Sequence, residues 1–343
     1  MTTVAIEDLT PESADAGVAA HYGDPMREQR LLETAAGLVD RSNRDVIAVP
    51  GEERASWLHT LTTQHLSDLR AGQASELLVL SPHGHVEHHA FVTEDGTTAW
   101  LDTEPGAGAG LLRYLEMMRF FTKVEPRDAS AEMAVFSLVG PGAADVIPGL
   151  PEPLLKEVPG AKFAAGEIAP GATALYAVRD LDGVLARRVP LGIDLLVPRG
   201  RTLDLDVPRA GLWAYEAVRV AHRIPRLGWE TDHKTIPAEA GFMASSVHLD
   251  KGCYRGQETV ARVHHLGRPP RRLVLLHLDG VATDQPPVQG TPVELDGRQV
   301  GFVGTAVRHH ELGMIALAVV KRNVADDARL LVGESAAQID PAA

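Results

Sequence analysis

The segment of this 343-residue chain with the greatest potential for chemistry is residues 251–258, Lys-Gly-Cys-Tyr-Arg-Gly-Gln-Glu. Its two glycines, four positions apart, bracket Cys253, the single cysteine of the sequence. Glycine permits tight turns and a close approach of the backbone to a ligand. The neighbouring cations Lys251 and Arg255 favour a thiolate over a thiol. Cys253 is therefore predicted to be a nucleophile, a redox-sensitive thiol or a metal ligand if it is exposed, and a small buried apolar residue otherwise.

Cations continue beyond this segment, and between positions 251 and 272 the only acid is Glu258. The cations are Lys251, Arg255, Arg262, Arg268, Arg271 and Arg272. Such a run indicates either an anion site or a solvated arginine surface. The whole chain carries 33 Lys and Arg against 46 Asp and Glu, a formal net charge of −13, which disfavours non-specific binding to nucleic acid.

Histidines gather at a second place, where His83, His85, His88 and His89 surround Glu87. On a strand, His85 and His89 share one face with Glu87, whereas His88 points to the other face. Only part of the set can therefore converge on one ion, and no metal site is assigned. The sequence also contains no Walker loop, no His-Glu-x-x-His motif and no convincing dinucleotide fingerprint.

Periodicity predicts an α+β protein that is loop-rich, since it contains 32 glycines and 23 prolines. Helical spacing of apolar residues predicts helices over residues 53–69, 111–121 and 212–223. Short apolar or alternating runs predict a hairpin of residues 76–80 and 86–93, and strands at 133–139, 174–178 and 192–197.

The pattern divides the chain into a partly ordered arm over residues 1–25, a main region over 26–266 and a β-rich domain over 271–341. Residues 148–170, dense in Pro and Gly, are predicted to be a connection. The longest apolar runs are too short to cross a bilayer, and the first ten residues lack a signal-peptide pattern. One cysteine agrees with a reducing compartment, so a cytoplasmic protein without a membrane partner is predicted.

Residues 251–258 resemble the signature of the YgfZ family, folate-binding relatives of the glycine-cleavage T-protein, an aminomethyltransferase. Supporting segments follow in the family's order at residues 49–51, 78–84, 119–124, 234–239 and 261–267. The resemblance implies a T-protein-like, ring-like arrangement of three domains with a C-terminal β-barrel. It also implies two intertwined subdomains over 26–266 that bind tetrahydrofolate or a derivative. The implied function is support of iron–sulfur cluster assembly or repair in client enzymes.

Residue by residue, the resemblance assigns Tyr215 to a folate-stacking position, with Trp213 as a weaker candidate, and Glu239 to a place close to the pterin. It places Lys251 near the position of a T-protein cation suited to the folate's glutamyl tail. Nearby arginines such as Arg262 would help to balance the charge of that tail, since a carboxylate needs charge-assisted donors. Cys253 is the residue expected to carry chemistry. For Tyr215 and Trp213 the alternative is a place among the core aromatics of the helix at 212–223.

Two departures separate the chain from the T-protein. His89 stands where that enzyme has the aspartate of aminomethyl transfer, and Ala221 where it has a pterin-binding glutamate. An imidazole does not reproduce a carboxylate's electrostatic role. A folate-dependent aminomethyltransferase or demethylase is therefore the second hypothesis, and whether the chain is an enzyme stays open. An RNA-linked or scaffolding protein that uses the basic segment 251–272 is the third.

Overall fold

A computed structural model describes residues 15–151, 175–280 and 285–341, with the backbone of a two-residue strand at Val4–Ala5. The helices of these ranges are α1 (Pro25–Thr34), α2 (Arg54–Leu61), α3 (Gly108–Met117), α4 (Ala143–Val146), α5 (Leu212–Ala221) and α6 (Gln257–Leu266). None of the helices in the described ranges is long and apolar enough to span a membrane. The predicted connection at 148–170 falls mostly on residues 152–174, outside the described residues.

Most strands before residue 211 belong to one mixed sheet. The strands are β1 (Val4–Ala5), β2 (Ala19–His21), β3 (Gly37–Asp40), β4 (Asp45–Pro50), β5 (Gln73–Leu80), β6 (Val86–Glu94), β7 (Thr98–Thr103), β8 (Arg127–Asp128), β9 (Met133–Val139), β10 (Tyr176–Leu181), β11 (Val184–Val189), β12 (Gly192–Pro198) and β13 (Arg209–Ala210). Within the described residues, eleven of them are hydrogen-bonded in the order β13-β3-β9-β12-β11-β10-β5-β6-β7-β4-β8. β1 and β2 pair separately.

The large sheet consists of two halves that meet where β5 pairs with β10. Tyr176 lies opposite Ala74 there, and Ala177 opposite Gln73. In the adjoining β5–β6 hairpin, Leu78 lies opposite His89. Since side chains alternate along a strand, this register fixes which residues of the hairpin share a face. The sheet therefore holds β9 beside β12 in one half and β5 beside β6 in the other, and these strands supply much of the wall described below.

The C-terminal strands close into a barrel, as predicted. They are β14 (Arg271–Leu278), β15 (Pro292–Leu295), β16 (Arg298–His309), β17 (Gly313–Lys321), β18 (Leu330–Val332) and β19 (Ser335–Ile339), in the order β14-β17-β16-β15-β18-β19. Leu276, Val303 and Ala318 fill its interior. On the outside, Val220 of α5 packs against Leu275. The predicted α+β class and the C-terminal β-barrel are confirmed.

The structure corrects the predicted helices mainly at their ends. Apolar spacing predicts a helix over residues 53–69, but α2 ends at Leu61 because Thr62 is extended and the amide of Thr63 donates to Leu78 of β5. Leu66 is fully buried from a turn instead. Helix α6 was not predicted. It lies between Gly256 and Gly267, both of which have positive φ and so favour glycine.

The end of the predicted arm contributes to the core. Val18 and Ala20 are buried against Leu32 of α1 and Tyr215 of α5. The carboxylate of Asp24 caps α1 by accepting hydrogen bonds from the amides of Met26 and Arg27. The shared packing of Leu32 and Tyr215 places α1 beside α5.

Candidate functional site

A cavity of about 670 Å³ lies where the large sheet, α5, the loop after α5 and the barrel meet. This volume is typical of a site for one small molecule, for which about 300–1,000 Å³ is usual. Its aromatic lining consists of Phe91, Tyr176, Tyr215 and Phe242. We call it the central cavity. Residues that are far apart in sequence thus form one site.

Tyr215 reaches the central cavity from α5 and is 8% exposed. The guanidinium of Arg41 lies 4.4 Å from the centre of its ring, a cation–π contact. Burial raises the pKa of the Tyr215 phenol, although Arg41 acts in the opposite direction, so the phenol is neutral at pH 7. Trp213 is on another side of α5, is 42% exposed and contacts His21 with ring centres 5.2 Å apart. Of the two aromatic candidates, the structure places Tyr215 in the cavity lining.

Glu239 also lines the central cavity and is almost completely buried. Its Oε2 accepts hydrogen bonds from the Ile236 amide (3.1 Å) and Arg271 Nη2 (2.8 Å), while Oε1 accepts from Arg271 Nε (3.0 Å). A carboxylate has about four acceptor positions. Three of them are occupied, two by Arg271 and one by the Ile236 amide. One position on Oε1 therefore remains for a donor from a bound molecule.

A second buried carboxylate, Glu76, joins β5 to the loop of residues 238–246. Its Oε2 lies 3.0 Å from His89 Nε2 and accepts from the hydroxyls of Ser245 (2.8 Å) and Ser246 (3.0 Å), while its Oε1 accepts from Tyr176. Burial alone would raise the pKa of Glu76, but the hydrogen bonds, first that of His89, outweigh it and lower the pKa. The position that differs from the T-protein, His89, therefore lies against a charged carboxylate.

Buried arginines form a network under this wall that the sequence analysis did not identify. Arg187, fully buried, donates to Asp102 (2.8 Å) and Asp194 (2.8 Å). Arg44 pairs with Asp102 and Glu104, which is also bonded to Arg226. Buried charges persist only when they are paired in this way. Because these partners are 60 or more residues apart in several pairs, no local spacing in the sequence indicates them.

Residues 251–256 form a loop outside the cavity, which we call the signature loop. Lys251 is buried, and its ammonium donates to the carbonyl oxygens of His59, Thr62 (2.6 Å) and Gln64 (3.0 Å). Burial lowers the pKa of Lys251 to about 8, so the ammonium is still mostly charged at pH 7. The ammonium of Lys251 thus stabilises the backbone at the end of α2. Lys251 is not among the described residues that line the cavity. The geometry gives no support to its expected contact with a glutamyl tail.

Cys253 is exposed on the signature loop and likewise lies apart from the described cavity lining. The loop is held against the β5–β6 turn at Gly256, where a Cβ atom would come within 2.7 Å of Gly84 Cα and of the Ser81 carbonyl oxygen. With its positive φ of 82°, Gly256 has two reasons to be glycine. The turn and the loop therefore present Cys253 to the outside of the protein.

Arg262 is exposed on α6 and lines a second, smaller cavity of about 540 Å³. His83, His85 and Lys234 share that lining, and Glu239 borders both cavities. Several cations of the basic segment are paired with acids: Arg255 with Glu87, Arg271 with Asp232 and Glu239, and Arg272 with Asp326. The segment is therefore less of a continuous positive surface than its sequence indicates.

The histidines near the hairpin do not come together as a possible metal site, but three metal-ligand-type side chains elsewhere lie close together. Glu33 of α1, His309 and His310 hold ligand-type atoms within 4.8 Å of one another. However, His309 Nδ1 accepts from the amides of Glu311 and Leu312, so the neutral ring carries its proton on Nε2, which faces Glu33 at 3.0 Å. A metal-bound histidine needs the reverse arrangement. The trio is a hydrogen-bonded contact between α1 and the barrel.

Ala221, the second departure from the T-protein, faces the barrel. It packs with Val220 against Leu275 at the end of α5, two residues beyond Arg219. It is not among the described residues of the cavity lining. The charged groups that α5 does direct inward are Glu216 and Arg219, which are bonded to each other.

Comparison with known proteins shows which fold this chain shares. Residues 20–174 match the family of the GCVT N-terminal domain. The structure superposes on the glycine cleavage system aminomethyltransferase T from Bartonella henselae with a TM-score of 0.74 and 19% identity, over 95% of this chain and 91% of that one. The chain has the aminomethyltransferase fold. Sequence relatives agree: an aminomethyltransferase from Geobacillus kaustophilus is 29% identical over 87% of this chain and 82% of its own length.

A second relative extends beyond the present chain. It is a chloroplastic protein of Arabidopsis thaliana whose name calls it a transferase, 25% identical over 83% of this chain. The match spans 65% of that relative's length. Together the comparisons support the aminomethyltransferase-like superfamily. The narrower resemblance to the YgfZ family, and the cytoplasmic location, stay predictions.

Proposed function

We propose that this aminomethyltransferase-like protein binds a reduced folate in the central cavity and supports the assembly or repair of iron–sulfur clusters in client enzymes. The folate part of the proposal is supported by two groups that line the same cavity. They are the aromatic ring of Tyr215 and the carboxylate of Glu239, which can accept a further hydrogen bond. A pterin combines a flat ring with several N–H donors, and such a pair suits both features.

The lining fits this ligand in three respects. The cavity volume of about 670 Å³ accommodates a drug-sized molecule. The aromatic side chains Phe91, Tyr215 and Phe242 provide apolar wall, and one position on Glu239 Oε1 can accept an N–H. Bound tetrahydrofolate would supply N5 and N10, the atoms that carry one-carbon units. The chain's own contribution would be to hold the pterin between Tyr215 and Glu239 and to shield it from water.

The iron–sulfur part is supported by the resemblance of residues 251–258 and by the exposure of Cys253. One cysteine is too few for a four-thiolate cluster site within one chain, so a stable cluster would need ligands from elsewhere. An exposed thiol on a loop that is fixed at Gly256 is placed to reach the surface of another protein. We therefore assign Cys253 to the contact with a client or its cluster.

Folate-dependent aminomethyl transfer is the second candidate, because several sequence relatives are named aminomethyltransferases. His89 lies in the cavity beside the charged carboxylate of Glu76, but four donors already engage that carboxylate. Little acceptor capacity is therefore left for a substrate amine. Formation of methylene-tetrahydrofolate from an aminomethylated donor would favour this candidate, and its absence with intact folate binding would favour the first.

Calorimetric titration with 5-formyltetrahydrofolate tests the folate site. We expect a Kd on the order of micromolar for the wild-type protein, weakened about 10-fold or more by Tyr215→Leu and by Glu239→Gln, since each removes about 1.5 kcal/mol.

Two matched variants separate ligand contact from folding. Trp213→Leu changes an exposed aromatic on the same helix, and Asp232→Asn removes the other carboxylate partner of Arg271 without touching the cavity. Both should bind like the wild type. Equal losses in Glu239→Gln and Asp232→Asn would show that Glu239 acts only through Arg271, and no binding by the wild type would remove the folate proposal.

A further inference from the structure

The exposed part of the central cavity's lining is confined to one barrel turn. Of its described lining residues, the exposed ones are Arg322, Ala325 and Asp326, whereas Tyr215, Glu76 and Glu239 are buried. All three exposed residues follow β17, which ends at Lys321. The cavity therefore opens to solvent beside this turn. A molecule whose ring end lies at Tyr215 and Glu239 would leave the protein past residues 322–326.

The turn is held in a defined position. The amide of Arg322 donates to the Pro270 carbonyl oxygen (2.9 Å), and Arg272 Nη2 donates to the carbonyl oxygen of Val324 (2.9 Å) and to Asp326. Val324 itself is buried in the barrel core. The backbone at Arg322 is thus anchored on both sides, which limits where its side chain can go.

The charged side chains at this opening differ in whether they have an ion-pair partner. Asp326 pairs with Arg272, and Asp340 pairs with Arg223 and His277. Arg322 has no hydrogen-bond or ion-pair partner for its side chain among the described residues. The opening thus offers a guanidinium with no internal carboxylate, and a guanidinium binds carboxylates in a fork of two hydrogen bonds.

We propose that Arg322 binds the carboxylates of the ligand's tail, so that the preferred ligands are reduced folates that retain their glutamyl group. This inference rests on the proposed folate site. It moves the tail-binding role from the buried Lys251 to a cation on the barrel, about 70 positions later in the sequence. Both the sheet and the barrel would then contribute to one ligand, the sheet to its ring and the barrel to its charged end.

The test is a cycle of two ligands and two proteins, measured by calorimetry at low salt. The ligands are 5-formyltetrahydrofolate and 5-formyltetrahydropteroate, which lacks the glutamate; the proteins are the wild type and Arg322→Gln. We expect Arg322→Gln to bind the folate about 5- to 10-fold more weakly and the pteroate equally well. Arg329→Gln, which removes the same charge from an exposed position outside the described lining, should change neither affinity more than about 2-fold.

The outcomes separate the two proposals. Wild-type binding of both ligands with equal affinity, or an equal loss of both in Arg322→Gln, would overturn the tail site and leave the ring site standing. A loss in Arg329→Gln as large as in Arg322→Gln would show that only net charge matters, which also overturns it. Binding of neither ligand by the wild type would overturn the folate site together with the tail site.

Discussion

The central cavity and the signature loop differ in how their functional groups are assembled. The cavity combines Arg41, Glu76, Tyr215, Glu239 and Arg322, which come from the sheet, α5, the following loop and the barrel. The signature loop comes from one short segment, and its Lys251 donates hydrogen bonds to three backbone carbonyl oxygens of residues 59–64. The lining of the cavity is mostly buried and combines charged with aromatic groups, whereas the loop presents one exposed thiol.

A distinctive local motif therefore need not line the main cavity of a protein. Residues 251–256 are constrained by packing: Lys251 satisfies carbonyl oxygens at the end of α2, and Gly256 allows the β5–β6 turn to approach. Both constraints act on Cys253 only indirectly, by holding it at the surface. The predictions below test whether the loop is a structural clamp, with Cys253 as its one functional group.

The largest effect is expected for Lys251→Met. Three carbonyl oxygens lose their donor in a buried place, which should lower the free energy of unfolding by about 3 kcal/mol. Urea unfolding followed by circular dichroism measures it. Lys234→Met, at an exposed lysine, is the control and should change stability by less than about 0.5 kcal/mol. A stable Lys251→Met protein with weakened folate binding would instead return Lys251 to the ligand site.

A smaller effect is expected from acidification, through two histidines whose pKa values are lowered in part by cations of the loop. Burial, with help from Arg255, lowers the pKa of His88 from 6.5 to about 4, and burial together with Lys251 lowers that of His59 to about 4. The unfolded chain therefore takes up these protons below pH 6.5 and the folded chain only near pH 4. Stability should fall as the pH drops through this window.

The variant His88→Asn isolates one of these histidines. Between pH 7 and pH 5 it should lose about 1 to 2 kcal/mol less stability than the wild type, after allowance for partial exposure. Denaturant unfolding at the two pH values measures this. The carboxylates Glu76 and Asp102 add little to the loss between pH 7 and pH 5, because in the unfolded chain they titrate only near pH 4.5 and 3.8. Hydrogen bonds and arginines, opposing burial, hold their pKa values in the folded protein lower still, so the stability that they contribute is lost only at more acidic pH. Identical pH profiles for the two proteins would contradict the assignment.

The smallest effect on folding is expected for Cys253→Ala. The side chain is exposed, so the free energy of unfolding should change by less than about 0.5 kcal/mol, and the affinity for 5-formyltetrahydrofolate should not change. The activity of iron–sulfur enzymes in cells that depend on this protein should fall. Cys253→Ser, which keeps the size without the thiol, should behave in the same way. Full client activity in both variants would remove Cys253 from the proposed function.

The sequence predicted secondary structure best where the local period is strong. Strand Met133–Val139 and helix α5 agree closely with the predicted ranges 133–139 and 212–223. It predicted α2 too long, since apolar spacing continues to residue 69 while Thr63 bonds to β5. It missed α6, whose limits depend on the left-handed conformations of Gly256 and Gly267. The spacing of apolar residues indicates which side chains are buried, but it does not indicate at which residue a helix ends.

The α+β class, the C-terminal β domain and a short set of candidate residues could be predicted from the sequence, because they follow from periodicity and from the identity of residues close together in the chain. The folded structure was needed to show that Tyr215 and Glu239 share a cavity, that Lys251 is buried against backbone carbonyl oxygens and that Cys253 lies outside the cavity. It also paired Arg187 with Asp102 and left Arg322 at the opening. The physical reason is that burial and charge pairing depend on contacts between distant segments, which local spacing does not encode.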